Sequence, residues 1–338
     1  MYHDCRQAKK SIEFEQYILE NDSVGQRFME LFIEKAREGL KIFIICDKFG
    51  SIFLSRSPLV KKLRRYGGKL HFYNAVSGWS LLSPSRWFPR THTKTLLIDS
   101  SIAYTGGVCM AERMRSWRDT HVRITGPVIR QVRHAFDDIE NRILRKKSSG
   151  IPHPGDDQRF LYFLTRPSQK HRGVYRELIK AVESAEHYIY ITSAFFIPNH
   201  RFLRKLREES MRGGEIRVLV PERSDVLLAD LVCLSYTPLF FKMGLRIFHY
   251  QETILHSKTA IIDDRWATVG STNFDIISFF HNREANIVTT DAEAIAELKG
   301  QFFVDLQWSK ELTWQDWHKI PRWKKVVGLM ARTLKVFF

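Results

Sequence analysis

The chain has few cysteines, no long uninterrupted apolar run and a shortage of acidic residues. Its four cysteines stand far apart and form no CxxC pair, so a disulfide framework and a zinc site are not predicted, and a reducing compartment is expected. The longest apolar stretch, residues 226–241, contains an aspartate and a proline. It is shorter than the roughly 20 residues that a membrane-spanning helix needs, so we expect a buried helix. The polar, charged N-terminus lacks the pattern of a signal peptide.

The shortage of acidic residues gives the chain a strong positive charge. Lys and Arg number 53 against 37 Asp and Glu, which leaves a net charge of +16 over 338 residues. Such an excess favours polyanionic partners, either nucleic acid or an anionic lipid surface, and charge alone does not decide between them. Hydrophobic residues make up 44% and charged residues 27% of the chain. These values are typical of a folded globular protein and exclude a largely disordered one.

Apolar strand patterns alternate with amphipathic helix patterns, and the whole series occurs twice. The alternation predicts an α/β fold of two similar lobes, each a mixed β-sheet flanked by helices. A stretch rich in Ser, Gly, Pro and charge, residues 146–158, is interpreted as a linker. It separates a first lobe (1–145) from a second lobe (159–312), which a basic amphipathic segment (313–338) follows. The first lobe begins late in the repeated series, so its opening strand and most of the next helix are expected to be missing.

Two segments of matched spacing carry the candidate chemistry. HTKTLLIDSSIAYTGG begins at His92 and HSKTAIIDDRWATVGS begins at His256, and an internal duplication is the simplest explanation. On a strand, residues two apart face the same side, so each histidine projects with the lysine that follows it. The aspartates come at the strand ends beside turns, where a carboxylate is better placed to brace the turn than to face a substrate. The candidate catalytic residues are His92, Lys94, Asp99, His256, Lys258 and Asp263.

Histidine and lysine side by side indicate phosphate chemistry rather than metal binding. Lysine keeps its proton and supplies a point charge for phosphate oxygens, while histidine serves as nucleophile or general acid at neutral pH. Two such pairs allow one imidazole to attack phosphorus and form a phosphohistidine. The other imidazole then protonates the departing alkoxide and later deprotonates the acceptor. Neither a metal nor a cofactor is expected.

The glycine turns after the two motifs are not identical. In the second copy Ser271 and Asn273 offer donors to a phosphate oxygen, and we expect them to bind substrate phosphate. In the first copy Gly107 stands at the position of Ser271, and Cys109, a weak donor, at the position of Asn273. The phosphate contacts of the two copies are therefore expected to differ.

The doubled HxKxxxxD pattern with its glycine turn resembles the signature of the phospholipase D superfamily. Within it, LENDSVGQRFMELFIEKAREGLKIFIICDKFGS, FFIPNHRFL and NREANIV look most like bacterial cardiolipin synthases. The resemblance implies one active site at the lobe interface and phosphatidyl transfer between two phosphatidylglycerol molecules, with release of glycerol. It makes His92 the nucleophile and His256 the acid/base, with Lys94, Lys258 and Asn273 holding the phosphate.

Two acidic residues match positions that follow each motif in that family. They are Asp119, in WRDTHVRITGP, and Glu284, in NREANIV. Each is a candidate to orient an imidazole through its second ring nitrogen. Two alternatives stay open: a phospholipase D-type hydrolase or nuclease that uses water as acceptor, and a protein that grips anionic lipid without turnover.

Three segments are candidates to meet a membrane. On a helix near the C-terminus, an apolar stripe would lie opposite a basic side, the pattern of a helix in the lipid interface. The stripe comprises Trp323, Val326, Val327, Met330, Leu334 and Phe337, and the basic side Lys324, Lys325, Arg332 and Lys335. The aromatic loop at residues 77–90 and the basic cluster at residues 56–65 are the other two. Each segment has the alternative of lying on the protein's own surface or core.

The expected partners follow from these observations together. They are anionic phospholipids, with phosphatidylglycerol first and phosphatidylethanolamine as a further candidate, and the membrane surface that contains them. The expected location is the cytoplasmic face of the bacterial inner membrane, with peripheral attachment. Nucleic acid is not the expected partner, because the amphipathic tail and the aromatic loop do not suit it. The sequence makes no prediction of oligomeric state.

Overall fold

A computed structural model describes residues 1–74, 90–144, 159–166 and 173–333. The predicted mixed α/β fold is confirmed, with two main sheets flanked by helices. The interpreted linker and almost all of the aromatic loop at residues 77–90 lie outside the described residues. The division of the chain into lobes at residues 146–158 therefore stays a prediction.

The first lobe contains six strands and four α-helices in the described ranges. The strands are β1 (Ser11–Gln16), β2 (Lys41–Asp47), β3 (Lys69–Tyr73), β4 (Lys94–Ile98), β5 (Ile102–Gly106) and β6 (His121–Ile124). The helices are α1 (Tyr2–Gln7), α2 (Ser23–Arg37), α3 (Pro58–Arg65) and α4 (Ile129–Ile143).

The second lobe is larger. Its strands are β7 (Phe160–Thr165), β8 (Tyr188–Thr192), β9 (Phe196–Ile197), β10 (Glu215–Pro221), β11 (Arg246–Tyr250), β12 (Thr259–Ile262), β13 (Trp266–Gly270), β14 (Phe274–Asp275), β15 (Glu284–Thr289) and β16 (Ser309–Glu311). Its helices are α5 (Gly173–Glu183), α6 (His200–Met211), α7 (Leu227–Lys242), α8 (Ile276–Phe280) and α9 (Ala292–Gln307), and the C-terminal segment adds α10 (Trp314–Lys319) and α11 (Arg322–Ala331).

The two sheets share one topology. The first has the order β3-β2-β1-β4-β5-β6, and the second contains the same series as β11-β10-β8-β12-β13-β15, with β16 and β7 added at its edges. In each series the first three strands pair in parallel and the last three join antiparallel to them. This correspondence is what a duplicated unit produces. In the second sheet β7 pairs with β15, the strand that corresponds to β6. Within the described residues, no strand pairs with β6 in this way.

Local sequence explains the elements that carry the sheet. In α2, Asp22 caps the first turn by accepting hydrogen bonds from the backbone amides of Val24 and Gly25. The apolar face of α2 is buried against the first sheet, as is typical of an amphipathic helix. One apolar cluster joins the two sheets face to face and includes Phe43 and Leu97 from one lobe and Val269 and Ile287 from the other. The lobes therefore share a core.

The C-terminal part of the chain packs on the second lobe. The apolar stretch at residues 226–241 forms α7, whose middle is buried while Leu227 at its start is 73% exposed. α11 lies against α7 through Gly328 and Ala331, so the face that docks is not the predicted apolar stripe. Its described members, Trp323, Val326, Val327 and Met330, are exposed, while Leu334, Lys335 and Phe337 lie outside the described residues. In the described ranges, no helix combines the length and apolar character needed to cross a bilayer.

Candidate active site

Both motif histidines lie at the boundary between the lobes, just before a strand. β4 begins at Lys94 and β12 at Thr259, so each histidine precedes its strand and does not lie within it. The backbone N–H of His92 donates to the carbonyl of Arg283 at 2.9 Å. In the other motif, the N–H of His256 donates to the carbonyl of Arg118 at 2.8 Å. Each histidine is thus fixed by backbone from the opposite half of the chain.

Each imidazole is also paired with a carboxylate from the other lobe. Nδ1 of His92 lies 2.9 Å and 3.0 Å from the two carboxylate oxygens of Glu284. Nδ1 of His256 lies 2.7 Å from Oδ2 of Asp119. A carboxylate on Nδ1 fixes the ring orientation and tautomer, which makes Nε2 the nitrogen for chemistry. The two carboxylates chosen from the sequence therefore contact the two histidines, and each histidine contacts the carboxylate of the opposite lobe.

The two motif lysines are buried beside the histidines. Lys94 and Lys258 are each 1% exposed. The ammonium group of Lys94 donates to the backbone carbonyl of His92 at 2.8 Å, and Lys258 makes the same bond to His256. Burial, reinforced by the charge of Lys94, lowers the pKa of Lys258 to about 8. Two cations in so small a space favour an anion such as a phosphodiester.

Burial and the lysines set the protonation of the imidazoles. The pKa of His256 is lowered to about 4, first by burial and then by the charge of Lys258, against the opposing effect of Asp119. Burial likewise lowers the pKa of His92, with Glu284 opposing. Burial alone would raise the pKa of Asp119, but its contacts with His256 and Lys258 lower it overall. An anionic phosphodiester bound here would offset the lysine charges and raise both imidazole pKa values.

The residues of the second glycine turn have different surroundings. The hydroxyl of Ser271 donates to Glu284 at 2.5 Å and accepts from the backbone N–H of Ala285 at 2.9 Å. Ser271, which we expected to bind phosphate, therefore contacts the carboxylate that orients His92. Asn273 is 5% exposed, and its side-chain oxygen has no hydrogen-bond partner among the described residues. That oxygen is an acceptor, so a contact of Asn273 with phosphate oxygens would have to come from the NH₂ group of its side chain.

The motif aspartates lie at the far ends of their strands from the histidines. Asp99 accepts hydrogen bonds from the backbone amides of residues 9–11, and Asp263 accepts from those of residues 186–188. Both aspartates have a φ near +50°, the left-handed region that Asp tolerates better than most residues. These contacts brace the start of β1 and β8 against the neighbouring hairpin. The bracing role matches the position of both residues beside turns.

Several residues close to the histidines lie outside the two repeated motifs. The ring of Tyr17 packs edge-on to His92 at 4.9 Å, and the ring of Trp117 lies 5.4 Å from His256. Arg118 is paired with Asp305 at 2.7 Å. Arg283 is paired with Glu15, also at 2.7 Å. The sequence contained one signal for them, because an arginine directly precedes each orienting carboxylate in WRDT and NREA.

The fold and the site together define a class of protein. Two α/β lobes of one topology, each contributing a His-Lys motif to a shared site at their boundary, are the arrangement of phospholipase D-type enzymes. In the described residues, no three His, Cys, Asp or Glu side chains cluster in a way that could hold a metal ion.

The chain belongs to the phospholipase D-like cardiolipin synthase family. The family model described as "Cardiolipin synthase, PLD-like domain" matches residues 1–139 and 178–306. A probable cardiolipin synthase of Bacillus subtilis is 29% identical over 93% of this chain and 64% of its own length. Cardiolipin synthase A of Pseudomonas syringae is 27% identical over 99% of this chain and 71% of its own length. The chain thus spans about two thirds of the length of these relatives.

Solved structures support the fold at much lower identity. Phosphatidylserine synthase of Haemophilus influenzae superposes with a TM-score of 0.74 at 12% identity, over 99% of this chain and 90% of that structure. Polyphosphate kinase of Porphyromonas gingivalis gives a TM-score of 0.61 at 14% identity, over 98% of this chain and 50% of that structure. Both comparisons concern the architecture alone.

Proposed function

We propose that this protein is a phosphatidyltransferase that joins two phosphatidylglycerol molecules into cardiolipin and releases glycerol. The observation that carries the proposal is the crossed pairing of two buried imidazoles with two carboxylates, next to two buried lysines. Each imidazole is held at Nδ1, so a phosphorus atom between the two Nε2 atoms would meet a nucleophile on one side and a proton donor on the other. Lys94, Lys258 and Asn273 bind the phosphate oxygens.

The reaction takes place in two displacements. Nε2 of His92 attacks the phosphorus of the first phosphatidylglycerol, the bond from phosphorus to the glycerol headgroup breaks, and protonated His256 gives its proton to the leaving alkoxide. Glycerol departs. Neutral His256 then takes the proton from a hydroxyl of the second phosphatidylglycerol, whose oxygen attacks the phosphohistidine and frees His92. Bound phosphodiester raises the pKa of His256 by offsetting the lysine charges, which supplies the protonated form for the first step.

The proposed place of reaction is an anionic bilayer surface, on the cytoplasmic face of the inner membrane. α11 supports this because Trp323, Val326 and Met330 are 61%, 52% and 68% exposed, with Lys324 and Lys325 on the same helix. Exposed apolar side chains beside basic ones bind a lipid interface through burial and charge together. Phosphatidylglycerol is the first substrate to test, with phosphatidylethanolamine as a further candidate.

The test is mass spectrometry of lipids after the purified protein is incubated with phosphatidylglycerol vesicles. We expect cardiolipin and glycerol in equal amounts, lost by about 10⁴-fold or more in His92→Ala and in His256→Ala. His200→Ala, an exposed histidine on α6, is the matched control and should keep full activity. Phosphatidic acid without cardiolipin would show a hydrolase instead, and full activity of both histidine variants would contradict the catalytic site.

A trapping experiment assigns the two histidines. His256→Asn removes the acid of the first step and the base of the second, so the trap uses a phosphatidyl donor with a p-nitrophenyl leaving group, which needs no proton to depart. With this donor the covalent phosphatidyl intermediate should accumulate on the peptide that contains His92. In His92→Asn no adduct should form. Peptide mass spectrometry under alkaline conditions, which preserve phosphohistidine, reads out both variants. An adduct on His256 in the His92→Asn variant would reverse the roles.

A further inference from the structure

The segment that follows β2 in the first lobe (residues 48–53, the first apolar segment) exposes large apolar side chains to solvent. Phe49 and Phe53 are each 67% exposed, and Ile52 is 41% exposed. A single exposed apolar residue is ordinary, but a group of them within one short segment marks an interaction surface. The guanidinium of Arg90, which lies just before His92 in the chain, is 5.2 Å from the centre of the Phe49 ring.

The second lobe exposes apolar side chains at the corresponding place. β10 holds the position in the second sheet that β2 holds in the first. The segment that follows β10 and runs into α7 (residues 222–228, the second apolar segment) contains Val226, Leu227 and Leu228, which are 37%, 73% and 37% exposed. The same turn of the duplicated unit is therefore apolar and exposed in both lobes.

The strand register places both apolar segments at the edge of the sheet where the histidines lie. In the first sheet, Gln16 at the end of β1 pairs with Lys94 at the start of β4 and with Cys46 near the end of β2. The second sheet repeats this register among β8, β12 and β10. Because His92 and His256 come just before β4 and β12, each apolar segment leaves its sheet at the edge where a histidine enters.

The two apolar segments approach the histidine site from opposite lobes, and both reach Tyr17. A side chain at Gly50 would overlap the backbone carbonyl of Tyr17, so the first segment packs against the residue whose ring contacts His92. Burial raises the pKa of the Tyr17 hydroxyl, and the carboxylates of Asp47 and, from the second lobe, Asp225 raise it further. Since charge effects fall with distance, Asp225 in the second segment also lies near Tyr17.

Basic residues follow the first apolar segment directly. The stretch from residue 48 to residue 65 contains no aspartate or glutamate. It includes the basic cluster at residues 56–65, whose side chains are exposed: Arg56, Lys61, Lys62, Arg64 and Arg65. Exposed apolar groups next to positive charge complement an anionic lipid surface, which offers both burial and negative headgroups.

The second apolar segment is not basic itself, since Glu222 and Asp225 accompany Arg223. Its Leu227 lines the same cavity as Trp323 of α11. The segment therefore lies beside the exposed apolar side chains of that helix, and the positive charge at this end comes from the lysines of α11. The surface is continuous with the helix that supports the bilayer as the place of reaction.

We propose that the two apolar segments insert into an anionic bilayer from both sides of the histidine site, with the basic cluster at residues 56–65 and α11 as the rest of one docking surface. The proposal rests on the phosphatidyltransferase function and adds which face of the enzyme meets its substrate. The histidine pair is then held at the level of the headgroups. A phosphatidylglycerol molecule reaches it while its acyl chains stay in the bilayer.

The first test measures binding to phosphatidylglycerol vesicles by flotation, on a His92→Ala background so that no lipid is converted. Phe49→Ser combined with Phe53→Ser should weaken binding about 10²-fold, and Leu227→Ser about tenfold, because the apolar area that inserts is lost. Met211→Ser is the matched control and should bind within about twofold of the background. Met211 is 76% exposed, but it ends α6 just before β10 begins, at the sheet edge away from the histidines.

Urea unfolding of the same variants separates lost docking from lost fold, and their midpoints should match that of the background protein. Vesicle binding that is equal in the segment variants and the control would overturn the proposal. The same holds if the protein forms oligomers without lipid that dissociate in the double phenylalanine variant while vesicle binding is unchanged. The surface would then be an interface between two copies of the chain.

The second test locates the surface by hydrogen exchange of His92→Ala with and without phosphatidylglycerol vesicles. We expect slower exchange in peptides that cover residues 48–56 and 223–229, and no change in those that cover residues 209–214. Protection confined to α11 would contradict the proposal. If both segments are protected but the unaltered protein makes no cardiolipin, the proposed reaction fails while the docking surface stands.

Discussion

The two halves of the candidate active site share one backbone topology but differ in their side chains. In the second lobe Ser271 fills the space beside the carboxylate of Glu284 and donates to it. In the first lobe Gly107 holds the matching position, and a Cβ there would overlap the carboxylate of Asp119. Asp119 is instead held by the backbone N–H of Thr120 at 2.7 Å.

Gly107 in the first copy is therefore no evidence that the first half of the site has lost its function. Each lobe fixes a carboxylate oxygen at Nδ1 of a histidine. The first lobe does so with the short side chain of Asp119 and no neighbouring hydroxyl. The second lobe does so with the longer side chain of Glu284 and the hydroxyl of Ser271. The exchange of Ser for Gly and the exchange of Glu for Asp depend on each other, because Asp119 occupies the volume that a serine side chain would need.

The largest expected effect comes from adding a side chain at Gly107 in the first lobe. Gly107→Ala should displace the Asp119 carboxylate from His256 and lower kcat by about 10²-fold, the scale of a misplacement of about 1 Å in a catalytic group. Ser271→Ala removes one hydrogen bond to Glu284 without a clash and should cost about tenfold. Steady-state cardiolipin synthesis measures both. An equal loss in the two variants would show that the lobes do not differ in this way.

Asn273 and Cys109 provide a smaller contrast. Asn273→Cys removes a donor to the phosphate and should lower kcat/KM by about 10-fold to 10²-fold, with little change in stability. Cys109→Asn places an amide among Ile18, Ala111 and Met114. It should leave kcat/KM nearly unchanged but lower the free energy of unfolding by about 1–3 kcal/mol, because this apolar cluster offers the amide few partners. Higher activity in Cys109→Asn would mean that the first copy had lost a phosphate ligand.

Much of this architecture was predictable, and the limits have physical causes. The alternation of strands and helices was predictable because local pattern determines such elements: β2 and β7 follow apolar runs, and α2 follows an amphipathic period. The histidines and lysines were chosen as candidates because their spacing is repeated. The crossed pairing of His92 with Glu284 was not predictable, since it depends on how two lobes pack.

The third contrast concerns the residue two positions after each orienting carboxylate. In the second lobe Asn286 accepts a hydrogen bond from the N–H of Thr272 and donates to Thr268. The matching residue in the first lobe is His121, whose Nδ1 is buried without a partner among the described residues. Burial, helped by the charge of Lys94, lowers the pKa of His121 to about 4, against the opposing effect of Asp119. The first lobe therefore contains a neutral imidazole where the second has a neutral amide.

This difference predicts an acid-sensitive first lobe. The pKa of His121 is about 4 in the folded protein and near 6.5 in the unfolded chain. Below pH 6.5 the unfolded chain therefore binds the extra proton, and stability is lost as the pH falls toward 4. Between pH 7 and pH 5 the loss due to this group is about 2 kcal/mol. Urea unfolding of His121→Asn, which copies Asn286, should show a pH dependence weaker by that amount. An unchanged pH dependence would mean that folding does not lower the pKa of His121.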